Sequence, residues 1–231
     1  MRIHRRTGYA SAAPFMDIAF GSRSLRLLPE GAAFDAARRI LYICDLHLGK
    51  VAVFRDAGLP LPDGPDLSIL DRLAGLVEKT GAGMVAVLGD VFHARSPGLG
   101  RVVGILAEWR AARPGLEWKV VPGNHDRRVP WAEWLPGAEV LEEGAACGVW
   151  RLAHHPPEEE GSPVLCGHLH PGIAIGPQRM RNMRLPCFWL RRSALVLPAF
   201  GEFTGLKVIA REPADRVWIA VNGKVVEVPA A

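Results

Sequence analysis

The chain has 231 residues, of which 49% are hydrophobic and 23% are charged. This composition supports a full hydrophobic core and excludes both an intrinsically disordered chain and a miniprotein held by disulfides. The formal net charge is +4, and three surplus charges correspond to Arg2, Arg5 and Arg6 at the start of the chain. Net charge therefore gives no argument for a nucleic-acid partner.

Residues 1–15 are predicted to form a flexible basic tail, and residues 16–231 a single domain. No apolar segment follows the first basic residues, and no run of about 18 apolar residues could span a bilayer. The four cysteines lie far apart without a C-x-x-C pair, which argues against a zinc ribbon or a redox motif. We therefore expect a cytoplasmic protein with no membrane partner.

The predicted elements alternate between short apolar strands and helices. A hairpin is predicted around residues 25–34, and buried strands at 41–44, 84–88, 119–121, 149–153 and 164–166. Residues 66–80 and 97–112 have the pattern of helices. Antiparallel strands are predicted at 194–197, 207–210 and 217–228, the last with an Asn222-Gly223 turn. The sequence thus predicts an α/β fold with two mixed sheets face to face and helices outside.

Each of the five buried strands is followed by residues that can bind a metal ion. These residues are Asp45 and His47, then Asp90, then Asn124 with His125 and Asp126, then His154 with His155, and finally His168 with His170. Any one of these motifs has an ordinary alternative as a turn, a helix cap or a solvated pair. Ligands of open α/β sheets bind at the carboxyl ends of strands, so we expect these side chains to converge.

The residue types restrict the ion and the reaction. Carboxylate, amide and imidazole ligands suit Mn²⁺, Fe²⁺ or Zn²⁺, whereas the cysteine spacing does not suit a structural zinc site. The ligands are too many for one tetrahedral ion, but two ions sharing a carboxylate would use them all. Such pairs, about 3.5–4 Å apart, hydrolyse phosphate esters.

The ordered motifs from residue 45 to residue 170 resemble the calcineurin-like metallophosphoesterases. The resemblance implies a four-layer α/β/β/α sandwich and two divalent ions, with Mn²⁺ preferred over Fe²⁺ and Zn²⁺. It implies one ion held by Asp45, His47 and His170, and another held by Asn124, His154 and His168, with Asp90 bridging them. His154 is preferred over His155, since the family's ligand directly follows the strand. His125 would stabilise or protonate the leaving oxygen, with Asp126 orienting its ring.

A narrower resemblance lies in residues 48–50, 58–62, 184–188 and 197–205. These segments are similar to the bacterial DNA-ligase-associated metallophosphoesterases, the DNA-damage-response endonuclease type, although Leu206 replaces a glycine of that pattern. The resemblance implies hydrolysis of phosphodiester bonds in DNA during repair, with a DNA ligase and a helicase as partners.

Residues outside the ligand set are predicted to bind substrate. They are Arg55, Arg127, Arg128, His155 and Arg184. Short intervals between motifs leave no room for a cap domain, which predicts an open cleft. The arginines at 179, 181, 184, 191 and 192, with Phe188 and Trp189, suit either a groove for single-stranded nucleic acid or a solvated basic loop with a buried aromatic anchor.

Two other functions remain open at this point. A small-molecule phosphoesterase acting on nucleotides or nucleotide-linked precursors would use the same ligands. A non-catalytic binding module could keep the ions for stability, but it would not need His125 and Asp126.

Overall fold

A computed structural model describes residues 13–56, 58–59, 64–93, 99–175 and 183–230. The strands are β1 (Met16–Phe20), β2 (Arg23–Leu27), β3 (Ala33–Asp35), β4 (Ile40–Ile43), β5 (Met84–Leu88), β6 (Glu117–Val121), β7 (Glu139–Val140), β8 (Ala145–Cys147), β9 (Trp150–Leu152), β10 (Val164–Cys166), β11 (Pro171–Ile175), β12 (Met183–Arg191), β13 (Ala194–Val196), β14 (Lys207–Val208), β15 (Arg216–Val221) and β16 (Lys224–Val228). The helices are α1 (Lys50–Asp56), α2 (Pro65–Thr80), α3 (Leu99–Ala111) and α4 (Trp131–Trp134).

Among the described residues, the first sheet has seven strands in chain order, β1 to β7. The pairs from β1 to β4 are antiparallel, and the pairs from β4 to β7 are parallel. Parallel neighbours need long crossovers, which α2 and α3 provide here. The carboxyl ends of β4, β5 and β6 therefore meet at one edge, as the sequence predicts.

The second sheet runs β14-β11-β12-β13-β10-β9-β8, with β15 paired to β12 and β16 paired to β15. Strand β10 is parallel to both β9 and β13. The prediction of antiparallel strands is confirmed for β15 and β16, whose turn contains Asn222 and Gly223 at positive φ. The prediction is wrong for β14, which pairs with β11 in parallel. It holds for one neighbour of β13, since β13 is antiparallel to β12 but parallel to β10.

The two sheets pack face to face through a core that contains residues of both. It includes Tyr42 and Leu88 from the first sheet, and Leu165 and Trp218 from the second. A separate cluster packs the other face of the first sheet against α2 and α3. The predicted α/β fold with two mixed sheets is confirmed, and the sheets bring two sets of strand ends together.

Local sequence signals explain where helix α2 begins and ends. Helix α2 begins at Pro65, where the missing N–H of proline costs nothing. It ends at Gly81, whose left-handed φ of 66° allows its N–H to bond to the carbonyl of Val77. The predicted bounds of 66–80 differ by one residue. Helix α3 begins at Leu99; residues 97 and 98 of that prediction lie outside the described residues. No helix in the described part is long and apolar enough to cross a membrane.

Candidate metal centre

The seven predicted ligands lie at strand ends from both sheets. Asp45 and His47 follow β4, Asp90 follows β5, Asn124 follows β6, His154 follows β9, and His168 and His170 follow β10. The structure brings them together in two adjacent groups.

The first group consists of Asp45, His47 and His170. Their ligand atoms all lie within 4.8 Å of one another. His170 Nε2 is 3.3 Å from His47 Nε2 and 3.4 Å from Asp45 Oδ1. That Oδ1 atom is buried and accepts no hydrogen bond. Because an unpaired buried carboxylate oxygen is costly, this position favours a cation.

The second group is centred on His154, which is fully buried. Its Nε2 lies 3.0 Å from Asn124 Oδ1 and 3.1 Å from His168 Nδ1. One amide oxygen and two ring nitrogens thus point at one another. These three atoms can each supply an electron pair, so together they form a better site for a divalent transition-metal ion than for contacts among themselves.

Asp90 lies between the two groups. Its Oδ2 is 3.8 Å from His47 Nε2 and 3.5 Å from His154 Nε2. Its Oδ1 accepts a hydrogen bond of 2.9 Å from the backbone N–H of His125. The carboxylate is therefore held in a position that fits a bridging ligand.

Backbone carbonyls orient two of the histidines. His154 Nδ1 lies 3.0 Å from the carbonyl of Leu88, and His170 Nδ1 lies 3.2 Å from the carbonyl of Gly205. A carbonyl can only accept, so each Nδ1 must donate, and each Nε2 keeps its lone pair. This is the usual way in which a protein fixes the tautomer of a metal-binding histidine.

Burial keeps two other imidazoles of the centre, those of His47 and His168, neutral. Burial lowers the pKa of His47 to about 3. Burial, followed by the nearby His154 and His155, also lowers the pKa of His168. Neutral imidazole is the form that binds metal, so both side chains are ready to bind a cation at neutral pH.

Five of the candidate ligands have a left-handed backbone. Their φ angles are 52° at Asp45, 48° at His47, 53° at Asp90, 69° at His168 and 45° at His170. Each such non-glycine residue costs roughly 1–3 kcal/mol and persists only where its surroundings enforce it. The strand ends are therefore turned so that the side chains meet, which sequence patterns do not show.

Glycines beside the ligands make room for them. Gly89 has a φ of 87°, and a Cβ atom there would collide with the imidazole of His154. At Gly123 a Cβ atom would collide with the carboxylate of Asp90, and at Gly167 it would lie 2.7 Å from Asp45 Oδ2. Close approach to a ligand explains Gly123 and Gly167, whereas Gly89 also needs its positive φ.

His125 is exposed beside the first group. Its ring stacks on that of His93, with centroids 4.9 Å apart and an interplanar angle of 24°. It also meets the ring of His47 edge-on at 5.2 Å. His125 is thus held next to the candidate ligands while its ring faces the solvent.

The sequence motifs did not single out His93. Its Nδ1 lies 3.4 Å from His47 Nδ1, and with His47 and His125 it forms a further group that could hold a metal. Burial lowers the pKa of His93 to about 4, with Lys50 and His125 adding to the effect. In the sequence, the signal for His93 is its position three residues after Asp90.

Asp126 has a different role from the predicted one. Its carboxylate is buried and accepts hydrogen bonds of 3.0–3.2 Å from the backbone N–H groups of Val91, Phe92 and Gly123. Both carboxylate oxygens of Asp126 therefore accept hydrogen bonds from the backbone. The side chain that contacts the His125 ring is His93. The prediction that Asp126 orients the His125 ring is wrong, because Asp126 connects the loops after β5 and β6. Burial raises its pKa to about 6 against the effect of these N–H groups.

His155 lies at the rim of the second group. Its side chain is 51% exposed, and its Nδ1 is 3.3 Å from Glu143 Oε1. Its ring centroid is 4.4 Å from that of His168. The buried His154 is therefore the better placed ligand of the pair, and His155 lies outside it with its side chain exposed.

The predicted substrate-binding arginines are spread over the molecule. Arg127 and Arg128 are exposed in the loop that carries His125. Arg55 lies on α1 and lines a cavity of about 180 Å³ with residues of α2 and α3. Arg184 is exposed on β12, opposite Ala174 of β11.

The aromatic residues of the basic segment are buried. Phe188 belongs to the core between the sheets, and the Nε1 of Trp189 donates a hydrogen bond of 2.9 Å to Asp215. The interpretation as a buried aromatic anchor is therefore correct for both, and they form no exposed aromatic groove. Arg179 and Arg181 lie outside the described residues.

Comparison with solved structures finds chains to which this chain is similar. The nuclease MPE of Pseudomonas putida is 30% identical, and the match covers 93% of this chain and 100% of that chain with a TM-score of 0.80. The phosphoesterase Yfce from E. coli is 16% identical, and the match covers 83% of this chain and 99% of that chain with a TM-score of 0.42. No family model and no curated protein matches the sequence.

The identity, coverage and TM-score of the first match, together with the donor groups at the strand ends, establish the family. The chain belongs to the calcineurin-like metallophosphoesterases and is a metal-dependent hydrolase of phosphate esters.

Proposed function

We propose that this protein is a nuclease that hydrolyses phosphodiester bonds in DNA with two divalent cations, Mn²⁺ being preferred over Fe²⁺ and Zn²⁺. One observation carries the proposal. Two groups of buried and half-buried ligand side chains lie on either side of Asp90, and the exposed ring of His125 lies beside them. This is the arrangement that a two-ion phosphodiesterase requires.

The donor groups define the roles of the ligands. Asp45, His47 and His170 would hold one cation; Asn124, His154 and His168 would hold the other; Asp90 would contact both. When bound, the cations would polarise a water molecule and offset the negative charge of the phosphate.

His125 is the candidate for the leaving-group oxygen. Its exposed ring can donate a proton to that oxygen, while its backbone N–H holds Asp90. The stacked His93 keeps the ring in place. Because the low pKa of His93 keeps it neutral at pH 7, His93 acts as a positioning residue here.

DNA is favoured over small esters for two reasons. A nuclease is 30% identical to this chain over almost its full length. The loop that carries His125 also presents two exposed arginines, Arg127 and Arg128, whose charges suit phosphate groups. A cytoplasmic repair role with a DNA ligase and a helicase belongs to the same proposal and derives from the sequence resemblance alone. The alternative is a small-molecule phosphoesterase acting on nucleotides or nucleotide-linked precursors.

A substrate panel tests the proposal. Single-stranded and flapped oligonucleotides, mononucleotides and bis-p-nitrophenyl phosphate are incubated with the protein and Mn²⁺. We expect cleavage of the oligonucleotides, and its loss in Asp90→Asn, which removes the shared carboxylate. Asp17→Asn is a matched control, since Asp17 on β1 pairs with Arg26 on β2, and it should keep full activity. Rapid turnover of a small ester without cleavage of any DNA would favour the alternative.

A further inference from the structure

Among the Phe, Trp and Tyr residues that the structure describes, one has an exposed side chain. Phe203 is 56% exposed, whereas every other described Phe, Trp and Tyr is buried or half-buried. Single exposed aliphatic residues are common on protein surfaces. Aromatic rings dominate the energetics of binding interfaces, so a ring left in water is a candidate contact for a ligand.

The backbone of Phe203 is also strained. Its φ angle is 56°, in the left-handed region that bulky residues rarely adopt. A glycine would take this conformation without strain and without exposing an apolar ring. Folding therefore gives no reason for phenylalanine at this position.

The loop that carries Phe203 is attached to the candidate metal centre on both sides. The N–H of Gly201 donates a hydrogen bond of 2.9 Å to the carbonyl of Asp45. The carbonyl of Gly205 accepts from Nδ1 of His170 at 3.2 Å. Successive Cα atoms are about 3.8 Å apart, so Phe203 lies within about 8 Å of the residue that orients His170.

The neighbour of Phe203 is anchored as well. Glu202 Oε1 accepts a hydrogen bond of 2.6 Å from Ser68 Oγ on α2, and it lies 3.8 Å from Nη1 of Arg72. The loop is thus held in place by residues other than Phe203. The aromatic ring is presented to the solvent by a fixed support.

We propose that Phe203 stacks on a base of the DNA substrate, on the His170 side of the scissile phosphate. The proposal rests on the nuclease function proposed above. Aromatic rings stack on bases of any sequence, which suits a strand that is recognised without base pairing. A single-stranded segment is required, since paired bases do not offer their faces.

The first experiment compares two substrates in the same variants. We measure kcat/KM for a single-stranded oligonucleotide and for bis-p-nitrophenyl phosphate, which has no base, with Mn²⁺. In Phe203→Ala the ratio of the two values should fall about tenfold, mainly through the KM of the oligonucleotide. Phe203→Trp should preserve the ratio, whereas Phe203→Leu, apolar but not aromatic, should lower it. Val226→Ala, an exposed apolar residue on β16, is the control and should leave the ratio unchanged.

The second experiment locates the base. Oligonucleotides with one cleavable bond carry a single abasic residue at successive positions around it. For the wild type, one position should lower kcat/KM about tenfold; for Phe203→Ala, the same abasic residue should have no further effect. Coupled effects of this kind show direct contact, and additive effects at every position would overturn the proposal.

A stability measurement separates binding from packing. Phe203→Gly removes both the ring and the strained conformation, so its Tm should not fall below that of the wild type. A lower Tm would indicate a packing role and overturn the proposal. An unchanged substrate ratio with a change of oligomeric state on gel filtration would do the same, since Phe203 would then be a contact between copies. If the wild type cleaves no DNA, the nuclease function itself fails. If the wild type and Phe203→Ala cleave DNA equally well, only the stacking proposal fails.

Discussion

At the scale of single residues, the candidate centre depends on side chains that have few partners other than a cation or a substrate. Asp45 Oδ1 is buried without a hydrogen bond, and the Nε2 lone pairs of His154 and His170 point into the same region. His125 differs from them because its ring is exposed. Its contribution should therefore depend on the leaving group, since a proton is needed only where the departing oxygen is strongly basic.

His125→Ala tests this dependence. Cleavage of DNA should fall by roughly 10²–10⁴-fold, the usual loss of a general acid. Hydrolysis of bis-p-nitrophenyl phosphate should fall much less, because nitrophenolate departs without a proton. Steady-state kinetics on both substrates with Mn²⁺ measure the difference. Equal losses on both substrates would show that His125 acts on metal binding and not on the leaving group.

At the scale of elements, the loops after β5 and β6 form one unit. The buried carboxylate of Asp126 accepts backbone N–H groups from both loops, and Asp90 Oδ1 accepts the N–H of His125. A shift of either loop would therefore move Asp90, Asn124 and His125 together. The unit places two candidate ligands and the candidate proton donor with a few hydrogen bonds.

Asp126→Ala should disturb this unit. Three backbone N–H groups would lose their acceptor, which costs about 1–3 kcal/mol or more and lowers Tm by several degrees in a domain of this size. The affinity for Mn²⁺ should fall as well, although Asp126 contacts none of the cations in the proposed site. Calorimetric unfolding and a metal titration measure the two effects. An unchanged Tm would contradict the structural role, and Asp17→Asn again provides the exposed control.

At the scale of the whole molecule, the candidate centre joins the two sheets. The first sheet supplies Asp45, His47, Asp90 and Asn124, and the second supplies His154, His168 and His170. A hydrogen bond of 2.9 Å from the N–H of His168 to Asp45 Oδ2 connects the sheets at the same point. Cations bound there would hold both sheets and would be released when the sheets separate.

Mn²⁺ should therefore raise the thermal stability of the metal-free protein. A ligand that binds only the folded state at 100 times its Kd adds about 2.7 kcal/mol, which corresponds to a rise in Tm of roughly 5–10 °C. The rise should be reversed by a chelator and should be much smaller in Asp90→Asn. Scanning calorimetry at increasing Mn²⁺ concentration measures it. A Tm that does not respond to Mn²⁺ in the wild type would contradict the proposed centre.

Much of the fold and of the site follows from local sequence signals. Apolar runs ending in Gly-Asp or Gly-His predict strands with polar ends, and β5 and β10 have the predicted bounds. Helix α2 differs from its prediction by one residue because its proline and glycine are unambiguous signals. The parallel pairing of β14 could not be predicted, since it depends on contact with the distant β11.

By itself, the sequence determined the α/β class and the set of residues that could bind metal, because strand periodicity, turn residues and ligand chemistry are all local properties. Only the tertiary structure decided what each side chain contacts. It assigned Asp126 to backbone amides, placed His93 against His125, buried Phe188 and Trp189, and left Phe203 exposed. These outcomes depend on residues far apart in the chain, such as His168 and Asp45, 123 positions from each other. Packing between two sheets, which no local pattern encodes, brings such residues together.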